Sequence, residues 1–124
     1  PYPRKVGILI HGRNASSAEQ FILEAKNSEK VTLFGNEPTM GAIDLSNVYS
    51  FTSPLGWFRL GVPTTRSCRW PDIVIDEKGI APQIPVPYPD SMQEKDHIRE
   101  EILYIERVLR GIPCRTSANE STEK

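Results

Sequence analysis

The chain has 124 residues, with 15 Lys+Arg against 16 Asp+Glu, two His and two Cys. That is one small domain at most, long enough to bury a core, and its net charge of −1 gives no field for attracting nucleic acid or an anionic membrane. No apolar run approaches the roughly 20 residues needed to span a bilayer. The chain opens on Pro1-Tyr2-Pro3 without Met and without a charged-then-apolar leader, so a piece of a longer protein is expected and the compartment stays open.

In chain order, Lys5-Val-Gly-Ile-Leu-Ile-His11 is a short apolar run bounded by Pro3 and Gly12, which predicts a strand buried on both faces. Ser16-x-x-Glu19 and Ser17-x-x-Gln20 both fit a capping box, and Ala18, Phe21, Ile22 and Ala25 follow at helical spacing, so a helix is expected over about 17–27. Val31-Thr-Leu-Phe34 is a second apolar strand closed by Gly35. Strand, helix and strand make a βαβ unit. Asn36–Ala42 reads as a loop, Val48–Thr52 as a strand, Ser53–Gly56 as a turn, and Trp57–Val62 as the antiparallel partner. Trp57-Phe58 and Tyr49/Phe51 are expected as cross-strand core pairs, because no basic surround suits them to stacking on nucleic acid. Pro63–Pro71 is expected as a loop and Ile73–Ile75 as a short extended piece. Gly79–Val86 is too rich in Pro for a central strand and suits an edge. Ser91-x-x-Glu94 opens a second helix with an apolar stripe of Ile98, Ile102, Ile105 and Leu109, stopped by Gly111 and Pro113. Residues 113–124 read as a polar tail.

The candidate chemistry centres on Ser16, at the point where a buried strand turns into a helix. A hydroxyl there is lifted off the sheet edge, and the helix-start N–H groups, that of Ser17 among them, point at the same place as a developing oxyanion. The same pattern is also that of an ordinary N-cap, which the local sequence favours on its own. His11, five residues before Ser16, could act as a general base but reads better as a partly buried or loop-packing histidine at the strand's end, and His97 has no nucleophile near it in sequence. Gly35 to Gly41 lacks the glycine spacing that cradles phosphates, and Asp76-Glu77-Lys78-Gly79 reads as an acidic turn. Cys68 and Cys114 are more often free thiols than a bridge at this density. With two His and two Cys far apart, neither a structural metal site nor a cofactor is expected.

Three segments, in order and spacing, resemble the C-terminal processing (tail-specific) serine peptidases, the group that includes the tricorn core protease. Val6 to Phe21 is similar to the family's strand, Ser-Ala-rich nucleophile turn and Glu. Val31 to Gly41 is similar to its strand followed by Gly-Glu-x-Thr-x-Gly, with one extra residue. Asp76 to Gln83 is similar to its acid-x-x-Gly-Ile-x-Pro-Asp block, with Gln83 in place of the last Asp. The resemblance implies Ser16 as nucleophile, the Ser17 N–H as one oxyanion donor, and Asp76 as the acid behind a histidine base. One branch uses a Lys directly after the Gly that aligns with Gly41. Ala42 stands there, which points to the branch whose His, with the second oxyanion Gly, precedes Pro1.

The implied fold is α/β, a ClpP/crotonase-like spiral of β-β-α units. Residues 1–112 would be the C-terminal part of the catalytic domain, ending in the C-terminal helix. The implied activity is serine-type endopeptidase cleavage of a protein or peptide substrate, with this chain inactive until joined by the missing N-terminal part of its parent. A non-catalytic ligand-binding or assembly module of the same fold is the alternative. A periplasmic or cell-surface parent is implied, since relatives of this kind are mostly exported bacterial proteins. The unpaired edges of half a sheet invite a homo-oligomer.

Overall fold

The computed structural model describes residues 2–87 and 94–112. The element order is β1 (Val6–Leu9), α1 (Ser17–Ala25), β2 (Val31–Phe34), β3 (Leu45–Thr52), β4 (Arg59–Arg66) and α2 (Glu94–Arg110). The expected βαβ unit is present. β1 pairs with β2 in parallel, Val6 opposite Val31 and Leu9 opposite Phe34, and the ladder continues where Ile10 N–H donates to the Phe34 carbonyl at 2.8 Å. Because side chains alternate across a strand, this two-stranded sheet feeds two cores. Ile10 and Leu33 face one side, against Ile22 of α1 and Ile75 and Ile80 of a later loop. Phe34 faces the other, against Val86 and Ile105 of α2.

α2 crosses β1 at Gly7. A Cβ there would stand 2.5 Å from Ile105 Cγ2 and 3.2 Å from Leu109 Cδ1, so the close approach depends on the missing side chain. This crossing corrects the expected stripe. The helix buries Ile105, with Tyr104, Val108 and Leu109 beside it, whereas Ile98 and Ile102 are exposed. Only the C-terminal half of the helix meets the sheet face at Phe34 and Gly7. The helix ends as expected at Gly111, where φ is +70°. Gly111 N–H donates to the Val108 carbonyl and Ile112 N–H to that of Arg107, a Schellman motif. Ser91 and the polar tail 113–124 lie outside the described residues. Cys68 is exposed, and Cys114 too lies outside the described residues.

β1 is half-buried rather than buried on both faces. Leu9, two residues beyond Gly7 on the same face, is exposed. α1 stops at Ala25, where Asn27 and Ser28 N–H turn back to the carbonyls of Glu24 and Ala25. No strand forms at Ile73–Ile75, but the proline-rich segment does lie along the edge of β2. Ile84 N–H donates to the Leu33 carbonyl and Gly35 N–H to that of Ile84.

β3 and β4 form a separate antiparallel hairpin, Leu45 opposite Arg66 and Thr52 opposite Arg59. β4 runs through Pro63 to Arg66, where a loop was expected. A two-stranded ribbon has an unpaired outer side on each strand, and a residue lacking an N–H is tolerated there. The expected core pairs are not core. Tyr49, Phe51, Trp57 and Phe58 are all exposed, Trp57 to 83%. Tyr49 lies opposite Val62 and Phe51 opposite Leu60, so the aromatics do not pair across the ribbon. Tyr49 and Phe51 instead meet edge to face on one strand, with ring centroids 4.7 Å apart. Their periodicity reports an apolar ribbon that the other described residues do not cover.

Two loops close over α1. Thr39 N–H donates to the Ile80 carbonyl at 3.1 Å, and Ile80 N–H donates to Thr39 Oγ1 at 2.8 Å. Gly79 sits in this contact with φ +68°, and a Cβ on it would collide with the Thr39 carbonyl oxygen. Gly79→Ala is therefore expected to destabilise the chain by about 2–3 kcal/mol, more than the left-handed conformation alone costs. A urea melt checks it; an unchanged midpoint contradicts the contact.

Candidate active site

The turn between β1 and α1 is built from side-chain bonds to its own backbone. His11 N–H donates to Asn14 Oδ1 at 2.7 Å and Asn14 N–H returns to the His11 carbonyl at 2.9 Å. The next bend falls on Ser16, whose backbone sits at φ 54°, ψ −115°. A residue with a Cβ is disfavoured there, at an order of 1–3 kcal/mol. The strain coincides with a serine that is exposed and opens α1, where it forms a reciprocal capping box with Glu19. Ser17, the first residue of α1, is also exposed, and among the described residues no hydrogen bond takes up its N–H. That free donor points out from a helix start, where partial positive charge collects.

Glu19 holds the bend in place. Its carboxylate has no exposure, yet among the described residues it faces no cation. Instead it accepts four bonds: from Ser16 N–H at 3.0 Å, Thr39 Oγ1 at 2.6 Å, Gly41 N–H at 2.7 Å and Ala42 N–H at 2.9 Å. The helix start thus becomes one body with the 39–42 loop. The sequence marked Glu19 as half of a capping box, and that half is made. It gave no sign that the same carboxylate would gather three donors from across the fold.

A second buried carboxylate, Asp44, does the same for the hairpin's root. Asp44 Oδ2 accepts from the N–H of Ile75 at 2.6 Å and of Asp76 at 3.0 Å, and Arg69 Nη2 stands 3.5 Å from Oδ1. Burial pushes the Asp44 carboxyl up. The N–H groups of Asp76 and Ile75 and the Arg69 guanidinium outweigh it, and its pKa ends below the ordinary value. Asp76 reciprocates: Oδ1 accepts from Ile43 and Asp44 N–H, both at 2.7 Å, and Oδ2 from Leu45 N–H at 3.1 Å. Asp76, expected as the acid, is half-buried with its carboxylate on these three amides.

Ser16 and Ser17 share one wall of an open cleft of about 300 Å³ with Gln20 of α1. The opposite wall is the hairpin root, with Ile43, Ser46, Arg66 and Arg69, and Asp76 is not part of either wall. Arg69 ties the walls together, since its Nη1 donates to Gln20 Oε1 at 3.1 Å while Nη2 faces Asp44. Neither arginine was singled out by the sequence, because neither stands in a motif. His11 lies off this cleft. It is exposed rather than partly buried, with Nε2 3.1 Å from Glu37 Oε1 and Nδ1 accepting from Arg13 N–H. Among the described residues no group of three His, Cys, Asp or Glu could hold a metal ion, and no helix is long and apolar enough to cross a membrane.

The geometry has counterparts among solved structures. The chain is similar to mature CPAF complexed with lactacystin, at TM-score 0.59 and 21% identity, covering 89% of this chain and 21% of that one. It is similar to mature CPAF alone at 0.57 and 22%, with the same coverage. A protein of Parabacteroides merdae assigned as a peptidase matches at 0.50 and 18%, over 97% of this chain and 35% of that one. No family model matches the sequence, and no curated protein does. The likeness is one of fold. The chain spans about a fifth of the CPAF chains it matches.

Two predictions follow from the buried carboxylates. Glu19→Ala leaves four donors without their acceptor and is expected to cost about 3 kcal/mol or more, with faster amide exchange at Gly41 and Ala42; hydrogen exchange by NMR reads both. Asp44 has a depressed pKa in the folded chain, so the stability it contributes is complete above its unfolded value, near 3.8. It is lost as pH falls through the folded value. The stability gap between wild type and Asp44→Asn should be widest near pH 7 and close below about pH 4; urea melts across pH that stay parallel overturn this.

Proposed function

We propose that this chain is the C-terminal part of a serine-type peptidase catalytic domain, of the tail-specific kind and the tricorn-like branch without the Lys, with Ser16 as the nucleophile. One observation carries the reading. Ser16 is a non-glycine residue in a strained left-handed conformation, exposed beside a cleft, where a strand turns into a helix. That is the geometry in which a nucleophilic serine is lifted clear of its sheet. Strain of this sort persists only where surrounding contacts over-determine it, and the four bonds of Glu19 supply them. The similarity in fold to CPAF, a protease, supports the reading.

In this proposal Ser16 Oγ attacks the substrate carbonyl, the peptide C–N bond breaks as the amine leaves with the proton taken from the hydroxyl, and water hydrolyses the resulting acyl-enzyme to a carboxylic acid and free Ser16. The free Ser17 N–H donates to the oxyanion as the carbonyl becomes tetrahedral. A hydroxyl needs a base to take its proton, and the residues lining the cleft include no His, Lys or carboxylate. In this proposal the base is the histidine that the family resemblance puts before Pro1. Asp76 is its proposed orienting acid. A carboxylate has about four lone-pair sites, and the amides of residues 43–45 take three. One direction is left for an imidazole N–H, in a carboxylate whose orientation is already fixed. We further propose that residues 1–112 complete a ClpP/crotonase-like spiral together with that upstream part. The absence of a base from this wall of the cleft also fits a non-catalytic binding module of the same fold.

A fluorophosphonate probe on the full-length parent decides between them. Labelling of wild type is expected, lost in Ser16→Ala and reduced at least about 100-fold in Asp76→Asn. A folded parent whose Ser16 takes no label overturns the peptidase and leaves the binding module.

A further inference from the structure

The charges around the cleft are unevenly compensated. Arg69 is committed: its two terminal nitrogens go to Gln20 and to the buried Asp44 carboxylate. Arg66 is not. It ends β4, opposite Leu45 in the ladder, and lines the same cleft as Ser16. It is exposed, and among the described residues its guanidinium has neither a hydrogen bond nor a carboxylate partner. The cleft lining has no acidic residue to balance it. The opposite wall adds the free N–H of Ser17 and the positive end of α1. Glu19, the acidic residue of that helix start, is turned inward and consumed by its four donors. An anion in this cleft would meet one uncommitted guanidinium, a second held rigidly beside it, and a helix start.

We propose that the cleft selects a peptide carrying an acidic side chain, Asp or Glu, close to the position that meets Ser16, with Arg66 as the residue that binds its carboxylate. This rests on the reading of the cleft as a peptide site. A guanidinium suits the role because its planar fork accepts a carboxylate through two parallel bonds, which an ammonium cannot reproduce. A side-chain carboxylate is favoured over a chain terminus. The cleft is open to solvent rather than enclosed, so a peptide bound there need not end in it.

The test is an NMR titration of the full 124-residue chain, which reads weak binding, with three blocked or unblocked peptides of one sequence. The first has an internal Glu and both ends blocked, the second Gln in its place, and the third Gln with a free C-terminal carboxylate. The Glu peptide is expected to bind about fivefold tighter than the blocked Gln peptide at low salt, shifting the Arg66 Nε–H and Ser17 N–H signals. That advantage should fade near 1 M salt, vanish in Arg66→Gln and be only partly kept in Arg66→Lys. Equal affinity for Glu and Gln peptides, or an advantage that survives Arg66→Gln with an unchanged melting curve, overturns the proposal. A free-acid Gln peptide that binds as tightly as the Glu peptide overturns the side-chain source and assigns the site to chain ends. Ser16→Ala should leave the Glu preference intact. A preference without fluorophosphonate labelling of the parent would thus reject the peptidase and keep the acidic-peptide site, and labelling without a preference would do the reverse.

Discussion

One carboxylate without a cation organises this molecule. Glu19 is fully buried and would be unstable there if left unpaired, since taking a charge out of water costs several kcal/mol. Four donors remove that penalty, and three of them come from a loop twenty or more positions away in the chain. The arrangement fixes the first turn of α1 against the 39–42 loop more tightly than apolar contact would, because each bond has a direction. Ser16 sits at the rim of this assembly, and its own N–H is the fourth donor. The strained backbone at the serine and the satisfied carboxylate beneath it belong to one construction.

Asp44 and Asp76 repeat the device on the far side of the cleft. Each accepts main-chain N–H groups from the segment that carries the other, so the hairpin root and the 75–76 bend are clasped from both directions. Buried acids bonded to amides set the shape of both walls, and the guanidinium of Arg69 spans them. The cleft is polar because what builds it is polar. The apolar cores, Leu33 on one face and Phe34 on the other, hold the sheet from which these walls rise.

The parts of the fold that depend on local pattern were legible in the sequence. The βαβ unit was, because apolar runs and a capping box are properties of neighbouring residues, and so was the glycine stop of α2. What failed depended on who covers whom. Ile98 and Ile102 continue the stripe of Ile105 at helical spacing, but spacing does not say how far along the helix the sheet reaches. Tyr49, Phe51, Trp57 and Phe58 look like core in a list of residue types, and only the fold reveals that among the described residues none buries them. The site divides in the same way. Ser16 and Ser17 were visible as a strand-to-helix junction. Arg69 and Asp44 were not, because their partners lie across the fold and no single-sequence pattern encodes a salt bridge over that distance, and Arg66 was not because it stands in no motif.

The hairpin's attachment shapes how it behaves. Each of its strands has eight residues, about 26 Å of reach, and two strands alone supply too little burial to stiffen such a ribbon in water. Its fixed points are all at the base: Leu45 N–H on Asp76, Ser67 N–H on the Asp44 carbonyl. Mechanically it is a lever with a clamped pivot. A load on the aromatic tip would therefore reach Ser46 and Arg66 only through the ribbon's length, while the wall facing Ser16 is held by the bonds at the base.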